Sequence, residues 1–235
     1  MVFPKRVEIT EVGPRDGIQN VHDIVPFKAK VAIIKKMAQA GFRHIEAISF
    51  VSPKAIPQMA DAKEVFLAVK DTLRERGVRS VALVPNARGV ETAVECGVDE
   101  VTYVISVSEK HNMANVRCTP AESMEQFKGL VKEYKGKIDF RLGLVTALGS
   151  PFPEEEIRTE TVMEMARTGL ELGCKMITVA DTVGISHPGR TYEVMKMLTQ
   201  HFGPDPFVMH LHNARGMALA NALVCLELGV HHFEA

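Results

Sequence analysis

The chain has 235 residues, 46% of them hydrophobic and 24% charged, with a formal net charge of −1. That length carries one large domain with a real core, and so even a charge balance gives no electrostatic support to a nucleic-acid or membrane-surface role. No apolar run approaches the ~18 residues of a membrane span, and Met1 leads straight into a strand without a signal-peptide pattern, which points to the cytoplasm.

Short apolar runs then alternate with longer amphipathic stretches. Val7–Val12 reads as a strand, and Phe27–Ala40 as a helix closed by Gly41. His44–Phe50 is a strand, and Ala60–Arg76 a helix ended by Gly77. Ser80–Pro85 is a strand, and Gly89–Glu95 a short helix ended by Gly97. Glu100–Val107 is a strand, and Pro120–Tyr134 a helix that opens on a capping box of Thr119 and Glu122. Ile138–Ala147 is a strand, and Glu155–Leu172 a helix ended by Gly173. Met176–Ala180 is a strand and Arg190–His201 a helix. Phe207–His212 is a strand, Met217–Leu228 a helix ended by Gly229, and Val230–Glu234 a last strand.

The strands are short, apolar and β-branched, as parallel strands buried on both faces must be. Eight such strands alternating with seven helices predict an α/β chain folded as a (β/α)8 TIM barrel. A doubly wound sheet would place a glycine-rich phosphate turn after strand one, whereas Pro14 and two charges occupy that turn here. The expectation is a single TIM-barrel catalytic domain over 1–235 with its C-terminal part missing, truncated within or just after strand eight. A barrel left open there would expose strand edges unless a partner chain completes it. The cysteines Cys96, Cys118, Cys174 and Cys225 lack CxxC spacing and read as reduced thiols. Cys96, Cys174 and Cys225 are expected in core packing.

In such a barrel the functional groups sit at the C-terminal ends of the strands. Strand one ends in Gly13-Pro14-Arg15-Asp16-Gly17, strand two carries Glu46, strand six ends in Asp181, and strand seven ends in His210-Leu211-His212-Asn213. Alternation sends His210 and His212 to one face. Two imidazoles with the carboxylate of Asp16 make a two-His, one-carboxylate set for Mg2+, Mn2+ or Zn2+. The bland alternative is a pair of hydrogen-bonded core histidines. Arg15 is either a structural ion-pair arginine or a cation that steadies negative charge on oxygen. Glu46 needs a partner if buried, and Arg15 on the neighbouring strand is the natural one. Asp181 either makes an Asx-turn or belongs to the site. His22, His111 and His187 lie in loops on the same side, and His231 and His232 read as packing residues.

EVGPRDGIQN at 11–20, IEAISFVSPK at 45–54, PQM at 57–59, DTVG at 181–184, the His210/His212 pair and ALAN at 218–221 follow in order along nearly the whole chain. Together they resemble the 3-hydroxy-3-methylglutaryl-CoA lyase family, whose wider group of metal-dependent barrel enzymes includes isopropylmalate synthase. The resemblance implies retro-Claisen cleavage of a 3-hydroxyacyl-CoA to acetyl-CoA and acetoacetate, in leucine degradation. It implies metal ligation by Asp16, His210 and His212, enolate stabilisation by Arg15, support of Arg15 by Glu46, and a further active-site acid at Asp181. The implied cofactor is a divalent ion, Mg2+ or Mn2+ with Zn2+ as a third choice. The implied partner is an acyl-CoA substrate, and a homodimer is expected with no nucleic acid and no membrane. The chain departs from the family at Asn213 (usually Asp), at Ser150 and Phe152 (Cys and Tyr), and at Met113-Ala114-Asn115 in place of a lysine-rich segment. The family's glycine-rich loop after strand eight, with a catalytic cysteine and an asparagine ligand, is not in this sequence. Two readings stand beside the lyase: a Claisen synthase that condenses acetyl-CoA with a 2-oxo acid, which Asn213 favours, and an inactive scaffold.

Overall fold

Parallel neighbours need crossovers long enough to hold a helix, and this chain supplies one between every pair of strands. The computed structural model describes residues 3–235, so the expected run from Met1 into the first strand lies partly outside the described residues. The strands are β1 (Glu8–Glu11), β2 (His44–Ser49), β3 (Arg79–Val84), β4 (Glu100–Ser106), β5 (Asp139–Val145), β6 (Ile177–Asp181), β7 (Phe207–Leu211) and β8 (His232–Glu234). They form a closed parallel barrel in the order β1 to β8. The helices are α1 (Phe27–Ala40), α2 (Ala62–Glu75), α3 (Ala87–Cys96), α4 (Glu109–Val116), α5 (Pro120–Glu133), α6 (Thr159–Glu171), α7 (Pro188–Phe202) and α8 (Ala218–Glu227).

The expected open strand edges are absent among the described residues. Val12 N–H donates to Ala235 O at 2.8 Å, and Ala235 N–H donates to Thr10 O at 3.1 Å. Backbone pairing therefore satisfies β1 even though β8 is only three residues long. Two differences from the sequence reading concern helices. α4 fills a stretch that carried no helical pattern. α6 starts at Thr159 rather than Glu155, because Glu155 is engaged elsewhere.

By density of internal contact the chain falls into two compact units. One holds Ile9–Tyr103 with Lys132–Asp139. Its α2 turns Val65, Phe66, Val69 and Leu73 inward, each at most 1% exposed. Side chains of that size stabilise by ~1.5–3 kcal/mol each when fully buried. The other unit holds Val104–Val131 and Phe140–Glu234. Leu142, Leu144, Ile177, Val179, Phe207 and Met209 fill its strands, all at 0% exposure. Cys96, Cys174 and Cys225 are buried as expected, and burial pushes the Cys225 thiol up to about 12, which leaves it inert.

Candidate active site

β1 leaves the barrel through a single π-helical turn, Gly13–Gly17. Arg15 and Asp16 N–H groups both donate to Val12 O, at 3.0 and 2.7 Å, so the two side chains emerge from one tight turn. Arg15 is 6% exposed and Glu46, on β2, is 1% exposed. Arg15 Nε donates to Glu46 Oε1, as the buried carboxylate requires. Arg15 Nη1 donates to Asp16 Oδ1 at 2.7 Å, and Gln19 Nε2 donates to the same oxygen at 2.8 Å. The guanidinium is thus held by two carboxylates, which fixes its plane.

At the C-terminal end of β7, His210 and His212 project together. Their Nε2 atoms are 2.8 Å apart. His210 Nδ1 meets Glu234 Oε2 at 2.9 Å. Glu234 Oε1 accepts from Arg141 Nη1 at 2.9 Å and from Thr178 Oγ1 at 3.1 Å. Sequence reasoning missed Glu234. No short motif marks it, and its partners lie on three other strands. Its only available signal was a carboxylate in a short apolar strand, which must find a cation or a donor.

His210 and His212 each offer an imidazole nitrogen, and Asp16 a carboxylate oxygen, to a metal ion. These residues fit a divalent ion. Two imidazole nitrogens bound at ~2.1 Å on adjacent positions of one ion sit ~3 Å apart, close to the 2.8 Å separation of the Nε2 pair. A mixed oxygen and nitrogen donor set suits Mg2+, Mn2+ or Zn2+.

Asp181 ends β6 and is 1% exposed. Its two carboxylate oxygens accept from Ile185 N–H at 3.1 Å and Ser186 N–H at 3.0 Å, so it does make the local turn. Burial pushes its carboxyl above the ordinary range, against the pull of those N–H groups and of His212. Gly184 lies inside this turn at φ +64°, and a Cβ there would sit 2.6 Å from Ala214 N. Only glycine lets the β6 and β7 loops come so close.

Thr146, at the end of β5, has φ +58°, a costly conformation for a β-branched residue. Its Oγ1 accepts Ser108 N–H at 3.0 Å, and its N–H donates to Thr182 Oγ1 at 2.7 Å. Glu155 accepts from the Ser108 hydroxyl, from Ser150 Oγ at 2.6 Å, and from Glu109 and Lys110 N–H at 2.8 and 3.3 Å. Burial opposes its charge, but those donors hold its carboxyl below the usual range. His111 bonds Ser106 Oγ through Nδ1 at 2.7 Å, and burial lowers its affinity for a proton. Asn213 Oδ1 accepts Ala218 N–H at 3.0 Å at the start of α8. His187 Nδ1 accepts Arg190 N–H at 3.4 Å at the start of α7. A groove of about 920 Å³ runs along α5 and α6, with Met124, Ile157 and Met165 in its lining. None of the six site residues lines it, so its size is no guide to the chemistry.

Residues 6–235 match the HMGL-like family model. A hydroxymethylglutaryl-CoA lyase of Bacillus subtilis is 36% identical over 235 residues, covering 100% of this chain and 77% of the relative. The mitochondrial hydroxymethylglutaryl-CoA lyase of Rattus norvegicus is 38% identical over 229 residues, 97% of this chain and 69% of the relative. Among solved structures, an HMG-CoA lyase from Acinetobacter baumannii in complex with coenzyme A and 3-methylmalate superposes with a TM-score of 0.93. It is 36% identical, and the match covers 100% of this chain and 76% of that one. The carboxyl transferase domain of Rhizobium etli pyruvate carboxylase shares the fold alone, at 19% identity and a TM-score of 0.72 over 99% of this chain and 40% of that one. With relatives 36% and 38% identical over nearly its whole length and a match from residue 6 to the last position, this chain belongs to the HMGL-like family.

Proposed function

We propose that this chain is a metal-dependent carbon–carbon lyase. Its substrate is a 3-hydroxy-3-methylglutaryl-CoA-like thioester, and its products are acetyl-CoA and acetoacetate or a related 3-oxo acid. The observations that carry this reading are the His210 and His212 imidazoles with their Nε2 atoms 2.8 Å apart, and the Asp16 carboxylate hydrogen-bonded to the Arg15 guanidinium. The relatives' names supply the substrate class, and the coenzyme A bound by one of them supplies the thioester handle.

Cleavage requires loss of the proton on the tertiary hydroxyl. The C–O bond becomes a ketone, and the electron pair of the broken C–C bond passes to the thioester side as an enolate. Protonation of that enolate gives acetyl-CoA. A divalent ion, Mg2+ or Mn2+ with Zn2+ as third choice, supplies Lewis acidity to the substrate oxygens when bound. Asp16, His210 and His212 would hold it. Arg15 keeps its positive charge at every working pH, and the enolate oxygen is where that charge is needed. Glu46 keeps the guanidinium in place, so little reorganisation accompanies bond breaking. Asp181, whose carboxyl burial makes more basic, is the residue assigned to proton transfer.

Asn213 does not tilt the site toward the synthase alternative, because its side-chain oxygen is engaged by the start of α8. The homodimer and the cytoplasmic location stay part of this reading, and light scattering on the purified chain reads the first. The deciding experiment is incubation with Mn2+ or Mg2+ and 3-hydroxy-3-methylglutaryl-CoA. Stoichiometric acetyl-CoA and acetoacetate are expected. No release from this or any other branched 3-hydroxyacyl-CoA, by protein that binds the metal, would sink the reading.

A further inference from the structure

We infer that Glu234 is a positioning residue of the metal centre, one that sets which ring nitrogen of His210 carries the proton. The inference rests on the metal reading above and adds to it. Four consecutive strands each contribute one group: Arg141 from β5, Thr178 from β6, His210 from β7 and Glu234 from β8. The side chains of Arg141 and Glu234 are each only 3% exposed.

The division of labour between the two carboxylate oxygens is what matters. Oε1 is bonded by two groups, Arg141 Nη1 and Thr178 Oγ1. The guanidinium can only donate. Oε2 meets His210 Nδ1 at 2.9 Å. An ionised carboxylate can only accept, so Nδ1 must carry the hydrogen. The lone pair of His210 is then on Nε2, the atom 2.8 Å from His212 Nε2 and the one a metal would take. A ligating imidazole whose other nitrogen is fixed by a carboxylate is held in both tautomer and orientation. Arg141 and Thr178 in turn stop the carboxylate from rotating.

The isosteric variant E234Q separates these roles. Arg141 can only donate and so demands an oxygen, and the amide must place its carbonyl there and turn its NH2 toward His210. Nδ1 then has to accept, the proton moves to Nε2, and the metal-binding lone pair is lost. Long-range 1H–15N spectra of the metal-free chain read the tautomer directly, and a Mn2+ titration followed by electron paramagnetic resonance reads affinity. Wild type should show His210 as Nδ1–H. E234Q should show Nε2–H and bind Mn2+ ~10–100-fold more weakly. The double variant R141M/E234Q frees the amide to turn its carbonyl to His210, and should recover the Nδ1–H form and much of the affinity. It also removes the buried cation that E234Q leaves without a counter-charge, so the test survives if E234Q fails to fold. Wild-type protein that binds no Mn2+ would bring down the metal reading and this inference with it. Wild type that binds Mn2+, with E234Q matching it in affinity and retaining Nδ1–H, would overturn the inference alone.

Discussion

The two ends of the strands carry polar groups of opposite kinds. At the strand starts, Arg79 on β3 donates to Glu100 on β4 at 2.9 Å and to Asp139 on β5. Beside it, Ser80 and Asp99 exchange hydrogen bonds, with Ser80 Oγ donating to Asp99 Oδ2 at 2.6 Å and Asp99 N–H donating to Ser80 Oγ at 3.1 Å. These groups answer one another and hold strands in register. At the strand ends, two candidate functional groups are each held from behind by a carboxylate: Arg15 by Glu46 and His210 by Glu234. There the pairing orients a group toward something else. On the proposed reading, polar pairing therefore serves stability at one end and reactivity at the other.

The largest expected break in this contrast is Arg15→Gln. Acetyl-CoA release should fall by ~10²–10³ in kcat, the effect of removing one donor aimed at developing negative charge. A loss under tenfold in steady-state assays would return Arg15 to a structural ion pair. Metal binding comes next. Mn2+ at a hundred times its dissociation constant stabilises a folded chain by ~2.7 kcal/mol, a rise of roughly 5–10 °C in Tm for a chain of this size. Scanning calorimetry should show that rise, a chelator should remove it, and His212→Ala should never display it. If His212→Ala responds to Mn2+ as fully as wild type, the ligand assignment is wrong.

Arg79→Gln probes the strand starts. It removes one charged donor from the buried carboxylate of Glu100, which costs ~1–3 kcal/mol. Urea unfolding should register that loss while kcat stays within twofold and the Mn2+ response is unchanged. Altered turnover here would dissolve the distinction between the two ends. The smallest effect concerns His111, whose folded-state pKa is depressed by burial. Below the unfolded value of ~6.5 the unfolded chain takes up a proton that the folded chain resists. Stability is then full above that value and declines as pH falls toward the lower folded value. His111→Gln should flatten this acid limb in unfolding curves taken from pH 7 to 5, and an unchanged slope would contradict the burial argument.

How far these features could be read from the sequence depended on how local their causes are. α1 runs from Phe27 to Ala40 as the apolar spacing and Gly41 predict. The capping box is present too, with Glu122 N–H donating to Thr119 Oγ1 at 3.2 Å and Thr119 N–H donating to Glu122 Oε2 at 2.8 Å. The Arg15–Glu46 pair was legible because a buried carboxylate leaves few choices of partner. α4 was not legible. It buries only Asn112, so it has no apolar stripe to betray it. Glu234 escaped for a similar reason: His210, Thr178 and Arg141, which it bonds, are 24, 56 and 93 positions away. Periodicity reports what a residue does to its own element, and these two features depend on other elements.

α4 also has a consequence for the order of assembly. Eight residues are too few to hold a helix alone in water. Ser108 caps its first turn by accepting His111 N–H at 3.0 Å, and the Glu155 carboxylate receives two further N–H groups there. Glu155 leaves the ribosome 46 residues after Glu109. During synthesis this segment therefore waits as coil until β5 and the loop after it have emerged, and the two then order together.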